Sequence, residues 1–73
     1  MGKIIVLHNR FTNEPVVIRV SAINAITKVF ERTEDGVLEE GSDILIGTMS
    51  YLVKETIGTV MTKIRQAESE DKE

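Results

Sequence analysis

The sequence predicts a small α+β domain, mainly β, with about five short antiparallel strands forming a small meander or barrel-like sheet, followed by one C-terminal amphipathic helix. Three observations lead there. Ile, Val and Leu supply 21 of the 73 residues and recur in short runs. Residues that favour turns interrupt those runs at short intervals. Only one stretch, near the C-terminus, spaces its apolar residues at the period of an α-helix.

Residues 3–9 are aliphatic and β-branched and read as the first strand. The polar stretch 9–14 contains Asn9 and Asn13 and suits a hairpin loop. Pro15 can open the second strand, where its missing N–H costs no ladder bond, and Val16–Val20 continue it. Ser21, Ala22, Ile23 and Asn24 form a short turn, and residues 25–32 a third strand. Asp35-Gly36 marks a tight turn, after which the acidic stretch as far as Gly41-Ser42 reads as a mobile loop or extended hairpin end. Residues 44–48 and 50–54 are two further strands joined near Gly47-Thr48-Met49.

Thr56 is the expected N-cap of the helix, with Ile57, Val60, Met61 and Ile64 at i, i+3, i+4 and i+7. Gly58, Thr59 and Thr62 lower its intrinsic propensity, so it should form by packing on the sheet. Residues 1–67 make one domain, and 68–73 read as a disordered acidic tail.

A domain of this length buries only about 60% of the surface its unfolded chain exposes. Small domains compensate with disulfides, metals or oligomerisation. The chain has no cysteine and one histidine, His8, which leaves oligomerisation or a dense aliphatic core. The strands at Ile4–Leu7, Val16–Ile18 and Ile44–Ile46 are apolar on both faces, more than one short helix can cover. A homo-oligomer is therefore expected, with Ile5, Leu7, Val17 and Leu45 as the candidate self-association or partner surface. The longest strictly apolar run, Ile4–Leu7, is far too short for a membrane span, and the N-terminus lacks the long apolar stretch of a secretory signal, so a cytoplasmic location and no membrane insertion are expected.

The net charge of −3 is unevenly distributed. Residues 31–43 carry −5, residues 68–73 carry −3, and the remainder carries +5. Arg10, Arg19, Lys28, Lys54, Lys63 and Arg65, with Phe11 or Phe30 to stack on a base, are the candidate nucleic-acid contacts of an alternative reading, a small regulatory protein encoded by a phage or mobile element. The acidic pI of about 5.1 and the scarcity of aromatics count against it.

The residues offer no clear catalytic chemistry. His8 follows an apolar strand without a partner signature, and the serines lie outside any Gly-x-Ser-x-Gly context. The glycines are too scattered for a phosphate cradle. The acids from Glu34 to Asp43 lack the alternating ligand spacing of an EF-hand loop. Glu55, just before the helix, has a sufficient role in favouring the exposed amides there. No catalytic residue, metal or cofactor is assigned.

Tyr51-Leu52-Val53-Lys54-Glu55-Thr56, followed by Ile57, Val60 and Ile64, resembles the small flagellar and swarming-motility proteins of the FlbD type, in which a Val-x-Glu-Ser/Thr step enters a helix with this apolar rhythm. The opening strand Ile4–Leu7, the strand at Val16-Val17-Ile18, and Ile23 and Ile26 extend the resemblance over most of residues 3–65. The chain differs at Thr12–Pro15, where a glycine turn is usual, at Val20-Ser21, where an asparagine usually follows the second strand, and in the longer acidic connection 31–43. The resemblance implies a flagellar or motility accessory role and no catalytic residues. The leading expectation is a non-enzymatic, self-associating protein-interaction module.

Overall fold

The computed structural model describes residues 2–69. Five antiparallel strands and a C-terminal helix form as the sequence predicts, in two small sheets. β1 (Ile4–His8) and β2 (Pro15–Arg19) make a hairpin in the register Val6↔Val17. A single 3-10 turn, Val20–Ala22, leads into a meander of β3 (Ala25–Arg32), β4 (Leu38–Ile46) and β5 (Met49–Val53). The helix α1 runs Ile57–Ser69.

The two sheets meet where β1 ends. Asn9 bridges Val53, the Arg10 N–H donates to the Leu52 carbonyl at 3.0 Å, and the Lys54 N–H donates to the His8 carbonyl at 2.9 Å. A second clasp joins the β2–β3 connection to the β4–β5 turn. The Asn24 N–H donates to the Leu45 carbonyl at 2.8 Å, and its side-chain oxygen accepts the Gly47 N–H. Gly47, at φ 60°, takes the first central position of a two-residue hairpin turn, where an L side chain would be strained.

One aliphatic cluster serves both sheets and the helix: Ile5 and Leu7 of β1, Ile18 of β2, Ile44 of β4, Val53 of β5 and Val60 of α1 are all buried. α1 packs against β1 and β3. At its start the Thr59 N–H donates to Thr56 Oγ1 at 3.3 Å, the expected cap, and the Val60 N–H donates to the Thr56 carbonyl. Met61, placed on the inward stripe by spacing, is exposed, whereas Lys63 is half-buried. The helix takes in Glu68 and Ser69, which the sequence assigns to the tail; residues 70–73 lie outside the described residues.

Of the two alternatives for the acidic connection, a mobile loop or an extended hairpin end, the second is found: the β3–β4 ladder continues through Phe30↔Glu40 and Glu31↔Glu39 to Arg32↔Leu38. The turn beyond it is closed by Thr33, whose N–H donates to the Val37 carbonyl while its hydroxyl accepts the Val37 N–H. Glu31 and Glu39 face each other directly, a repulsive cross-strand pair. Arg10 relieves it, pairing its Nε with the Glu31 carboxylate and donating from Nη2 to the Glu39 carbonyl at 3.2 Å.

The assignment of Ile5 and Leu7 to a self-association or partner surface requires correction. Both are buried in the chain's own core, Leu7 entirely and Ile5 with only 5% exposed. Alternation sends their neighbours Ile4 and Val6 outward instead.

Candidate interaction surfaces and the His8–Glu55 contact

The outer face of the β1–β2 hairpin is the first exposed apolar surface. The cross-strand partners Val6 and Val17 share it, as do Ile4 and Arg19. Val17 is 63% exposed and Ile4 56%. Beside this face, Ile4, Ile5 and Val6 line a groove of about 230 Å³ with Lys63, Gln66 and Ala67 of α1. The face is therefore apolar along its strands and bordered by Arg19 and Lys63.

The second surface is the distal β3–β4 hairpin. None of Val29, Phe30, Val37 or Leu38 belongs to the core cluster. Phe30 is 54% exposed and Leu38 55%. By register Phe30, Arg32, Leu38 and Glu40 stand on one face, the same one that buries Ser42 and Ile44 nearer the core. Lys28 Nζ lies 5.7 Å from the centroid of the Phe30 ring. The molecule measures 46 × 25 × 20 Å, elongated for its length.

Of the four residues proposed for self-association, Val17 and Leu45 are exposed, and they sit on different sheets. The six candidate nucleic-acid contacts do not act as a free row. The Arg10 side chain is largely buried against Glu31 and Glu39, and Lys54 donates to Asn13 Oδ1 at 3.0 Å. Arg19 and Lys63 border the β1–β2 face, Lys28 lies over Phe30, and Arg65 flanks a shallow recess on α1 with Thr62 and Ser69. Phe11 is exposed in the β1–β2 loop.

The pair that sequence reasoning missed is His8 with Glu55. One carboxylate oxygen of Glu55 accepts the His8 backbone N–H at 3.0 Å, and the other contacts ring Nδ1 at 2.7 Å. Burial pushes the Glu55 carboxyl up, but the hydrogen bonds from the His8 ring and backbone outweigh it and hold the group below its ordinary value of 4.5. Glu55 thus ties the end of β1 to the helix entry, a job different from the expected service to the helix amides. Ser42, fully buried, donates its hydroxyl to the Glu55 carbonyl at 2.8 Å. His8 of β1, Ser42 of β4 and Glu55 of the β5–α1 connection consequently meet at one junction. No local signal announces a pair 47 positions apart in the chain; only the convergence of β1 and β5 brings it about.

Among the described residues no group of three or more His, Asp or Glu side chains is placed to hold a metal, and no helix is long and apolar enough to cross a membrane. Asp43 keeps one buried carboxylate oxygen without a hydrogen-bond partner. No family model, curated protein or solved structure matches the chain.

Proposed function

We propose that this chain is a non-enzymatic protein-interaction module that associates with copies of itself. The observation that carries the reading is the outer face of β1–β2, where Ile4, Val6 and Val17 lie together in the open. Such a face is stable in water when a partner covers it. The residues with chemical potential point the same way. Both oxygens of Glu55 are engaged by His8, and the Ser42 hydroxyl is turned to a backbone carbonyl, so their geometry serves the junction between the sheets. The specific version of this function is a flagellar or motility accessory role, drawn from the resemblance of the Val53–Thr56 step and the helix that follows.

Light scattering at micromolar concentration tests the reading. The wild-type chain should have the mass of a dimer or a larger assembly, and Val17→Asp should lower it. A monomer for the wild-type chain throughout the micromolar range overturns the proposal.

A further inference from the structure

β3 lies at an edge of its sheet and pairs with β4 on one side only. Its register with β4 runs without a bulge from Ala25↔Leu45 to Arg32↔Leu38, and the strand contains no proline. Along such a ladder, pairs that exchange both backbone hydrogen bonds alternate with pairs that exchange none. The phase is set at its end, where the Thr33 N–H donates to the Val37 carbonyl. The backbone groups of Thr27, Val29 and Glu31 therefore point to β4, and those of Ile26, Lys28, Phe30 and Arg32 to the open edge. Thr27, Lys28, Phe30, Glu31 and Arg32 are all exposed. An open edge of this kind is a template for a further strand.

The charges along β3 suit it to its own copy. A two-fold axis at the edge pairs β3 with a second β3 antiparallel, and two registers pair the most residues. One is centred on Lys28 and sets that lysine against Lys28 of the second copy, a repulsive pair. The other is centred on Val29. It sets Val29 against Val29, Lys28 against Phe30, Thr27 against Glu31 and Ile26 against Arg32. No like charges stand directly opposite each other there. Lys28 meets an aromatic ring, the kind of contact it already makes at 5.7 Å with Phe30 of its own chain. We infer that two copies join through their β3 edges, antiparallel about Val29, and merge their three-stranded sheets into one. This contact adds to the self-association proposed above and uses none of the residues of the β1–β2 face. With both contacts the chain builds assemblies larger than a dimer, and with β3 alone a dimer.

Introduced cysteines test the register, because the chain has no thiol of its own. The Val29 pair falls at a site without backbone hydrogen bonds, where Cα atoms stand about 4.5 Å apart, within the span of a disulfide. Val17→Asp serves as the background and removes the β1–β2 contact. In it, Val29→Cys should form a disulfide dimer under mild oxidation at least about tenfold faster than Thr27→Cys or Phe30→Cys. Equal rates at the three positions, or a faster rate at Thr27 or Phe30, overturn the inference.

Proline probes the backbone directly. The ladder with β4 does not use the Phe30 N–H, so Phe30→Pro should keep the fold, checked by circular dichroism. A symmetric dimer loses that bond twice, so in the same background Phe30→Pro should dimerise at least about tenfold more weakly than Phe30→Ala by sedimentation equilibrium. Equal affinities overturn the inference. A monomeric Val17→Asp chain beside an associating wild type also overturns it and leaves self-association through β1–β2 standing. A Val17→Asp chain that dimerises as the wild type does leaves the β3 contact standing and removes the β1–β2 one. A wild-type monomer overturns both.

Discussion

The body of this molecule and its β3–β4 arm use apolar residues to opposite ends. In the body, Leu7, Ile44, Val53 and Val60 come from four different elements and are fully buried against one another. In the arm, Phe30, Val37 and Leu38 face solvent, and the strands are joined by ladder bonds, the Thr33 turn and the Arg10 contacts. Apolar composition alone therefore does not locate a core. Convergence of several elements does, and the arm is one hairpin whose Phe30, Val37 and Leu38 stay exposed.

The largest expected effect separates the two regions directly. Leu7→Ala should destabilise the chain by about 3 kcal/mol, from lost transfer free energy and the cavity left behind. Leu38→Ala should change it by no more than about 0.5 kcal/mol. Both are to be measured by urea denaturation at concentrations where the chain is monomeric, since association adds a concentration-dependent term. Equal costs at the two sites would show that the arm packs on its own body.

Gly41 stands where arm and body join. A Cβ there would lie 2.6 Å from the Val53 carbonyl oxygen and would run into the Arg10 guanidinium. Part of that contact is with backbone, which cannot swing aside as a flexible side chain can. Gly41→Ala should therefore cost about 2 kcal/mol and displace Arg10 from Glu31. A melting temperature equal to that of the wild type would mean that β4 and β5 separate at this point with little resistance.

Much of the fold was legible from local pattern. The hairpin loop at Asn9, the Asp35-Gly36 turn, the Thr56 cap and the apolar stripe of α1 each follow from residues close together in the chain. Three features were not. In Ile4-Ile5-Val6-Leu7 every residue is aliphatic, so periodicity could not tell which pair faces the core. The acidic stretch up to Gly41-Ser42 fits a mobile loop or an extended hairpin end equally well on local pattern, because the cation that steadies the Glu31–Glu39 pair comes from Arg10 in a different hairpin. The His8–Glu55 contact depends on where two strands end in space. In each case the missing information was long-range.

The His8–Glu55 junction sharpens the comparison from the body's side. Glu55→Gln keeps an acceptor for the His8 N–H but removes the charge, and should cost about 1–2 kcal/mol near neutral pH. The carboxyl is depressed in the folded chain relative to the unfolded one. Its contribution is therefore fully present above the unfolded pKa and is lost as pH falls through the folded value. The stability of the wild type should drop towards that of Glu55→Gln below about pH 4.5, its ordinary value, when urea midpoints are compared. A gap that stays constant down to strongly acidic pH would show that the charge of Glu55 contributes nothing.

Arg10→Gln should have a small global effect and a local one. Arg10 belongs to the β1–β2 loop, yet its side chain serves the arm through Glu31 and the Glu39 carbonyl. Without it, Glu31 and Glu39 face each other unrelieved, which weakens the distal ladder while leaving Leu7, Ile44 and Val60 in place. Global stability by urea should fall by about 1 kcal/mol or less. Amide exchange at the distal ladder positions of β3 and β4 should accelerate, while amides of β1 and α1 keep their protection. If exchange instead rose equally in both regions, arm and body would open as one unit, and the division drawn between them would fail.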